Sequence, residues 1–287
     1  MKLPFYIVDV FAEGKYVGNQ LAVFLNADGL DAETMQKIAR EINFAESTFI
    51  TAIQPEMSSA SIRIFTPENE MQFAGHPVIG TSWVLMNKII KDQPRNLKLK
   101  VPIGEIPVQQ SGELVWLQAA QPQFWDVFPK EGLLSFCNLS LEDFNDTLQV
   151  QEVTTGSAFV IVPLKSKKAL ENLNLELIKM KEWLLANCRT NHRSLYFYCF
   201  DEGKIFSRML CIENNQITED AATGSASTCL QAYLLKYHLP KIKIVNHQGD
   251  FISRPSSIYF DGELSGDYFD IKIGGKTQYI AKGEWEV

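Results

Sequence analysis

The internal repeat of this chain constrains its fold more than any other feature. The sequence reads FAGHPVIGTS from residue 73 and TEDAATGSAS from residue 218, and an apolar stretch follows each copy. These stretches predict two helices that carry few charges on any face. Because a helix that is apolar nearly all round has to be buried, each half of the chain is predicted to surround one helix with strands.

The two copies can be superimposed with His76 on Asp220, an offset of 144 residues. Residues 80–81 then fall on residues 224–225. Both turns precede a predicted helix, and a helix N-terminus offers free N–H groups and about half a positive charge. Two such ends in one cleft would bind a carboxylate. The alternative interpretation is ordinary helix capping by Thr81 and Ser225.

The rest of each half alternates apolar and polar residues in short runs, which is typical of strands. The 287 residues are enough for two domains. We predict the α+β class with two similar domains, each a rolled, mostly antiparallel sheet around a central helix. The first domain spans residues 1–120 around a helix at 77–88. The second spans residues 121–287 around a helix at 225–237, and the last residues return to the first domain.

Local signals mark further elements. Asp31 is predicted to cap a helix whose apolar residues recur at helical spacing. These residues are Met35, Ile38, Ala39 and Ile42. The segment 121–125, with Pro129 shortly after it, is predicted to cross between the halves.

Composition and charge argue against several classes of protein. A net charge of -7 without a dense cluster of Lys and Arg argues against nucleic acid as a partner. No apolar run reaches the roughly 18 residues of a membrane span. Residues 1–9 lack the apolar core of a signal peptide, so the sequence predicts a cytoplasmic protein. The five cysteines have no C-x-x-C spacing, which predicts reduced, mostly buried thiols.

Three ionisable side chains are candidates for chemistry. His76 and Asp220, equivalent in the superposition above, could orient a substrate, shuttle a proton or tune each other's pKa. The alternative is a satisfied core His and a surface Asp in a turn. Glu46 lies among apolar neighbours at a strand entry, where desolvation favours a carboxyl that both accepts and returns a proton. The alternative is a solvated Glu at a strand end. We assign Gly156 as its counterpart in the second half, which leaves one strong acid/base.

Cofactor and metal motifs are missing from the sequence. No P-loop, G-x-G-x-x-G or G-x-S-x-G pattern occurs, so neither a nucleotide cofactor nor an α/β-hydrolase nucleophile is predicted. The four histidines, His192 among them, form no spaced ligand pair, so no metal site is predicted. The polar segments 246–249 and 253–256 either line the cleft or connect strands.

Several short segments, in order along nearly the whole chain, resemble those of one family. They are DVF at 9–11, GNQLAV at 18–23, AESTF at 45–49, RIFTP at 63–67, AGHP at 74–77, EDAATGSA at 219–226, HQG at 247–249 and RPS at 254–256. Together they make the chain similar to the PhzF-like phenazine-biosynthesis isomerases, which share the fold of diaminopimelate epimerase.

The resemblance implies an isomerase without a cofactor, a homodimer, and an active site in a cleft between the two domains. In that family the Glu that matches Glu46 moves a proton during isomerisation of trans-2,3-dihydro-3-hydroxyanthranilate. The residues that match His76, Asp220 and Ser225 support the substrate and the proton transfer. The turns that lie against the substrate contain Gly75, Thr223 and Gly224.

The chain departs from these relatives at a few positions. Gln20 stands where the family often has proline, and Ala221 where it usually has proline. The loss of proline at Ala221 is expected to loosen the turn, but it removes no functional group. Ala74 and Ala221 occupy the two catalytic cysteine positions of the epimerases. Two-thiol racemisation is therefore not expected.

Three functions follow from these residues. The first is an isomerase in which Glu46 takes a proton from an activated carbon of a small carboxylate-bearing substrate and returns it elsewhere on the same face. N–H groups at Gly224 and Ser225 would hold the carboxylate. The second is a small-acid binding protein without turnover. The third is an amino-acid epimerase or racemase, whose second acid/base only His76 or Asp220 could supply.

Overall fold

The computed structural model describes residues 1–189 and 194–287, so His192 lies outside the described residues. The described chain forms two compact units. The first contains residues 1–118 and 273–287, and the second contains residues 119–272. Across the two described ranges, no helix combines the length and the apolar character that crossing a bilayer requires.

The first unit is a set of antiparallel strand pairs joined by parallel crossovers. Its strands up to residue 118 are β1 (Lys2–Val10), β2 (Asn19–Phe24), β3 (Glu46–Gln54), β4 (Ser59–Phe65), β5 (Glu70–Met71), β6 (Asn96–Val101), β7 (Gly104–Ser111) and β8 (Leu114–Gln118). Strands β2 and β3 are parallel, as are β4 and β6. Parallel neighbours need a crossover connection, and helices α1 (Ala32–Ile42) and α2 (Gly75–Val84) supply the two crossovers.

Helix α1 covers one face of the first unit, as its periodicity predicts. The Asp31 side chain caps it by accepting a hydrogen bond of 2.8 Å from the Thr34 amide. Its residues Met35, Ile38 and Ala39 are buried in an apolar cluster with aromatic side chains of the strands. The predicted amphipathic helix and its cap are both confirmed.

Helix α2 is enclosed by strands, and this explains its lack of a charged face. Nine of its ten residues are buried, and it contacts β1, β2, β3, β6, β7 and β8. It begins at Gly75, two residues before the predicted start, because Ala74 is the last extended residue. From Leu85 to Ile89 the helix continues as a π-helical turn.

The second unit repeats this plan with additional outer helices. Its strands are β9 (Gln123–Phe128), β10 (Val150–Thr154), β11 (Ala158–Pro163), β12 (Ser194–Asp201), β13 (Lys204–Glu213), β14 (Gln216–Asp220), β15 (Lys241–Gln248), β16 (Ser256–Ser265) and β17 (Tyr268–Gly275). Helices α3 (Lys130–Leu133), α4 (Lys167–Glu171) and α5 (Leu177–Asn187) cover an apolar cluster. Helix α6 (Gly224–Tyr237) is buried and contacts β10, β11, β15 and β16.

Most strand pairs are antiparallel, with β11–β12 and β13–β15 as the parallel pairs of the second unit. The predicted mostly antiparallel α+β class is therefore confirmed. The predicted crossing at residues 121–125 lies just after the observed change of unit at residues 118–119, and residues 123–128 form β9, which pairs with β10. The chain re-enters the first unit within β17, and β18 (Thr277–Glu286) then pairs with β1.

The superposition of His76 on Asp220 is also wrong. Helix α2 begins at Gly75 and α6 begins at Gly224, an offset of 149 residues. At this offset His76 corresponds to Ser225, and Asp220 corresponds to Met71, the last residue of β5. The earlier superposition matched Gly80 to Gly224, but Gly80 lies inside α2, where a Cβ atom would approach Val10 Cγ2 and Leu21 Cδ2 to 2.6 Å.

The assignment of Gly156 as the counterpart of Glu46 is wrong for a related reason. Glu46 begins β3, which follows the parallel crossover from β2. The equivalent strand is β12, which follows the parallel crossover from β11 and begins at Ser194. Gly156 lies instead in the turn between the antiparallel strands β10 and β11. The sequence TNHRSL at residues 190–195 has no Asp or Glu, so the position opposite Glu46 in the repeat carries no carboxylate.

The close approach at Gly80 gives a test of how tightly α2 is enclosed. We expect Gly80→Val to lower the free energy of unfolding by about 2 kcal/mol, because the added carbons overlap Val10 and Leu21. Urea denaturation measures the change. Gly29→Val is the control, since a Cβ atom at Gly29 meets nothing within 4 Å, and its effect should stay within about 0.5 kcal/mol. Equal stability of the two variants would contradict the enclosed packing.

Candidate active site

The first unit brings Glu46 and His76 together. Glu46 is the first residue of β3 and His76 is the second residue of α2. The His76 Nε2 atom lies 3.4 Å from Glu46 Oε2, and the two side chains are 3% and 16% exposed. The carboxylate is therefore close to an imidazole, and both are largely removed from water.

Asn19 orients the imidazole from the other side. Its amide nitrogen lies 3.3 Å from His76 Nδ1. The donor and acceptor roles in this contact depend on the tautomer of the ring, whose Nε2 is the nitrogen that faces Glu46. The preceding glycine makes this position of Asn19 accessible, because Gly18 has a φ of +76° and a Cβ atom there would lie 2.4 Å from the Val10 carbonyl oxygen.

Burial keeps the imidazole of His76 neutral. Desolvation lowers the pKa of His76 to about 3, and a backbone hydrogen bond at Gln20 opposes that shift. An imidazolium would form an ion pair with Glu46. The neutral ring of His76 does not, so it leaves the negative charge of the carboxylate uncompensated. A carboxylate in that condition remains able to accept a proton.

The second unit holds Asp220 at the entrance to α6. Asp220 is the last residue of β14 and is half-buried. The Thr223 hydroxyl donates a hydrogen bond of 2.6 Å to Asp220 Oδ2. Gln248, at the end of β15, donates from Nε2 to the Asp220 carbonyl and to Thr223 Oγ1, both at 2.9 Å. The turn that carries the carboxylate is thus fixed at both its main chain and its side chains.

The sequence predicts anion sites at the N-termini of α2 and α6. In the described chain, neither N-terminus has a side-chain cap. The N-cap residues are Ala74 and Thr223, and neither forms a side-chain cap hydrogen bond. Thr81 lies inside α2 and contacts the Thr48 hydroxyl at 2.8 Å, and Ser225 follows the cap of α6. The capping interpretation of Thr81 and Ser225 is therefore wrong.

A buried polar network lies under the start of α6. The Tyr196 hydroxyl is within 3.0 Å of polar atoms of four neighbours. These neighbours are Ser207, Ser227, Asn246 and Gln248, all at most 1% exposed. Burial raises the pKa of Tyr196 to about 12, so the hydroxyl keeps its hydrogen at neutral pH.

In the part of the chain that the structure describes, the cysteines and metal-ligating side chains form no competing site. All five cysteines are free, and four of them are buried, as the sequence predicts. Burial raises the pKa of the Cys229 thiol to about 12, which keeps it protonated and unreactive. Within residues 1–189 and 194–287, no group of three or more His, Cys, Asp or Glu side chains could hold a metal ion.

Sequence reasoning missed the contributions of Asn19 and Gln248. Both lie in segments that the motif comparison singled out, GNQLAV and HQG, without a role for either amide. A polar residue directly after or before a glycine at a strand end is the signal that could have found them. Gly249 matters here, since a Cβ atom on it would lie 2.6 Å from the Ala221 carbonyl oxygen, so this turn can approach the segment that holds Asp220.

Known proteins resemble this chain over its whole length. The family model described as "Phenazine biosynthesis-like protein" matches residues 8–283. A trans-2,3-dihydro-3-hydroxyanthranilate isomerase of Pseudomonas aeruginosa is 32% identical over 97% of this chain and 98% of its own. A PhzF-family protein from Bacillus anthracis superimposes with a TM-score of 0.87 at 24% identity over all of both chains. A hydroxyproline epimerase from Agrobacterium vitis shares the fold, with a TM-score of 0.66 at 11% identity over 99% of this chain and 92% of its own.

The lowered pKa of His76 gives a prediction for stability. The unfolded chain binds a proton at this residue below pH 6.5, whereas the folded chain binds it only near pH 3. The unfolded state therefore holds more protons between these values, and stability falls as the pH drops through this window. By pH 4 this residue should cost about 3 kcal/mol relative to pH 7.

Chemical denaturation at pH 7 and pH 4 tests this linkage. We expect His76→Gln to lose about 3 kcal/mol less stability than the wild type between pH 7 and pH 4. His238→Gln is the control, because His238 is exposed, and it should follow the wild type. The same loss in His76→Gln and the wild type would show that His76 is not buried as a neutral ring.

Proposed function

This chain belongs to the phenazine biosynthesis-like family of isomerases, and we propose that it moves a proton between two carbons of a small carboxylate-bearing ring without a cofactor. The resemblance predicted from the sequence motifs is confirmed by the family match. The epimerase-like fold is confirmed by the structural neighbours. The observation that carries the proposal is the distance of 3.4 Å between Glu46 Oε2 and the Nε2 atom of a buried His76.

In this proposal Glu46 is the acid/base. Its carboxylate accepts a proton from a substrate carbon, and the electron pair released by the C–H bond is delocalised into a conjugated system. The Glu46 carboxyl then returns the proton to another carbon on the same face. The overall reaction relocates one hydrogen and needs no oxidant or reductant. His76 supports the step as a neutral polar neighbour of the carboxyl, since its pKa of about 3 prevents it from being a cation at neutral pH.

The second unit would supply the support for the substrate's polar groups. We propose that Asp220 orients a ring substituent, and that the amides of Gly224 and Ser225 hold the carboxylate and the charge that develops on it. The turn residues Gly75 and Thr223 would lie against the substrate. Support comes from the uncapped helix N-termini and from the motifs shared with the family.

Two further features are proposals on the same basis. We propose that the protein acts as a homodimer in the cytoplasm, because the resemblance of its motifs to the family implies a dimeric enzyme with a small-molecule substrate. A net charge of -7 supports a small-molecule partner over nucleic acid. Light scattering of the purified chain would report the mass of one or two subunits and so decide the oligomeric state.

The role of Glu46 is tested by solvent exchange. We expect Glu46→Gln to lower the rate of deuterium uptake from D₂O into trans-2,3-dihydro-3-hydroxyanthranilate by roughly 10²- to 10⁴-fold, the contribution typical of a general acid/base. NMR of the substrate and product measures the uptake. Glu41→Gln is the matched control, because this nearby carboxylate is exposed on α1 and should leave the rate unchanged.

Three results would separate the alternative functions. Uptake at the wild-type rate in Glu46→Gln would remove Glu46 from the reaction. Ligand-induced thermal stabilisation without any turnover by the wild type would favour a small-acid binding protein. Exchange at the α-carbon of an amino acid with loss of its optical activity would favour an epimerase or racemase.

A further inference from the structure

We propose that Gln248 is a positioning residue that aims the Thr223 hydroxyl hydrogen at Asp220 and fixes the turn between β14 and α6. The proposal rests on the proposed function for the role of Asp220, but it concerns a side chain that no substrate can touch, because Gln248 is fully buried. Gln248 of the HQG segment therefore does not line a binding surface. The segment also does more than connect two strands.

The orientation of the Gln248 amide is set by two main-chain groups. Its Oε1 accepts a hydrogen bond of 3.1 Å from the Thr223 amide, which can only donate. Its Nε2 donates to the Asp220 carbonyl, which can only accept. Because these partners cannot exchange roles, the amide has one arrangement that satisfies both. The Tyr196 hydroxyl donates to the same Oε1 at 2.9 Å and reinforces that arrangement.

The orientation of the amide determines the direction of the next hydrogen bond. Gln248 Nε2 donates to Thr223 Oγ1 at 2.9 Å. Since a hydroxyl has one hydrogen, the Thr223 hydroxyl that accepts from Nε2 directs its own hydrogen to Asp220 Oδ2 at 2.6 Å. The chain of donors runs from Gln248 through Thr223 to the carboxylate. Gln248 thereby holds Asp220 in one rotamer without contacting its carboxyl group.

The buried network makes this arrangement rigid. Tyr196 also contacts Ser207, Ser227 and Asn246, which come from β13, α6 and β15. The amide of Gln248 is thus connected to the strands that surround α6 and to the helix itself. This position requires a side chain that both donates and accepts hydrogen bonds. An apolar side chain of equal size would satisfy none of the partners.

Two substitutions separate the donor and acceptor roles of Gln248. Gln248→Met keeps the length of the side chain and removes both functions. Gln248→Glu retains an oxygen for the Thr223 amide but removes the Nε2 donor, so the Thr223 hydroxyl is free to turn from Asp220 to the new carboxylate. Gln151→Met is the matched control, because Gln151 is also buried and its amide bonds elsewhere, to the Trp125 carbonyl and the Tyr237 hydroxyl.

Amide hydrogen exchange tests the positioning of the turn without any substrate. We expect faster exchange at the Thr223 amide in Gln248→Met than in the wild type, and wild-type protection in Gln151→Met and Gln248→Glu. Wild-type protection of Thr223 in Gln248→Met would overturn the proposal. This measurement tests the positioning role independently of activity. Failure of the wild type to isomerise trans-2,3-dihydro-3-hydroxyanthranilate would overturn the proposed function and leave this test valid.

Steady-state kinetics with that substrate test the link to Asp220. We expect both Gln248 variants to lower kcat by roughly 10- to 100-fold, as for a misplaced reacting group, with a KM change below about threefold. Gln151→Met should retain the wild-type kcat. If Gln248→Glu lowers kcat while the Thr223 amide stays protected from exchange, the loss of kcat is due to the changed direction of the Thr223 hydroxyl. Equal kcat values in all three variants and the wild type would overturn the proposal.

Discussion

A helix surrounded by strands presents only its two ends to a ligand. This constraint governs both units, because α2 and α6 are buried along nearly their whole length. The polar residues of each unit consequently gather at the turn before the helix and at the strand ends beside it. In the function proposed above, amides of these turns and the side chains around them recognise a small acid.

The two units share a topology but carry different polar groups at equivalent places. With the helix starts aligned, His76 corresponds to Ser225 and Asp220 corresponds to Met71. Glu46 corresponds to the start of β12, where the sequence has no carboxylate. The first unit therefore has a carboxylate beside a neutral imidazole, and the second has a carboxylate held by a hydroxyl. In the proposed mechanism, this difference leaves Glu46 as the single proton-moving carboxylate.

The sequence predicted the elements whose signal is local and failed where the signal is geometric. The apolar pattern located α1 and predicted the starts of α2 and α6 to within two residues, because burial demands that pattern directly. The superposition of the copies failed because Gly80 and Gly224 match as letters, while one is needed for helix packing and the other begins a helix. The hydrogen-bond partners of Gln248 could not be predicted from the sequence, since Tyr196 lies 52 positions away and only the fold brings the two together.

The discontinuity of the first unit has a consequence for synthesis on the ribosome. Residues 119–272 form the second unit, and they emerge before β18, which borders β1 on the side opposite β2. Until then β1 has one unpaired edge, and Phe5 and Phe24 lack the Trp285 ring that packs on them. The second unit can therefore complete its fold first, and the nascent first unit exposes a strand edge of the kind that promotes aggregation.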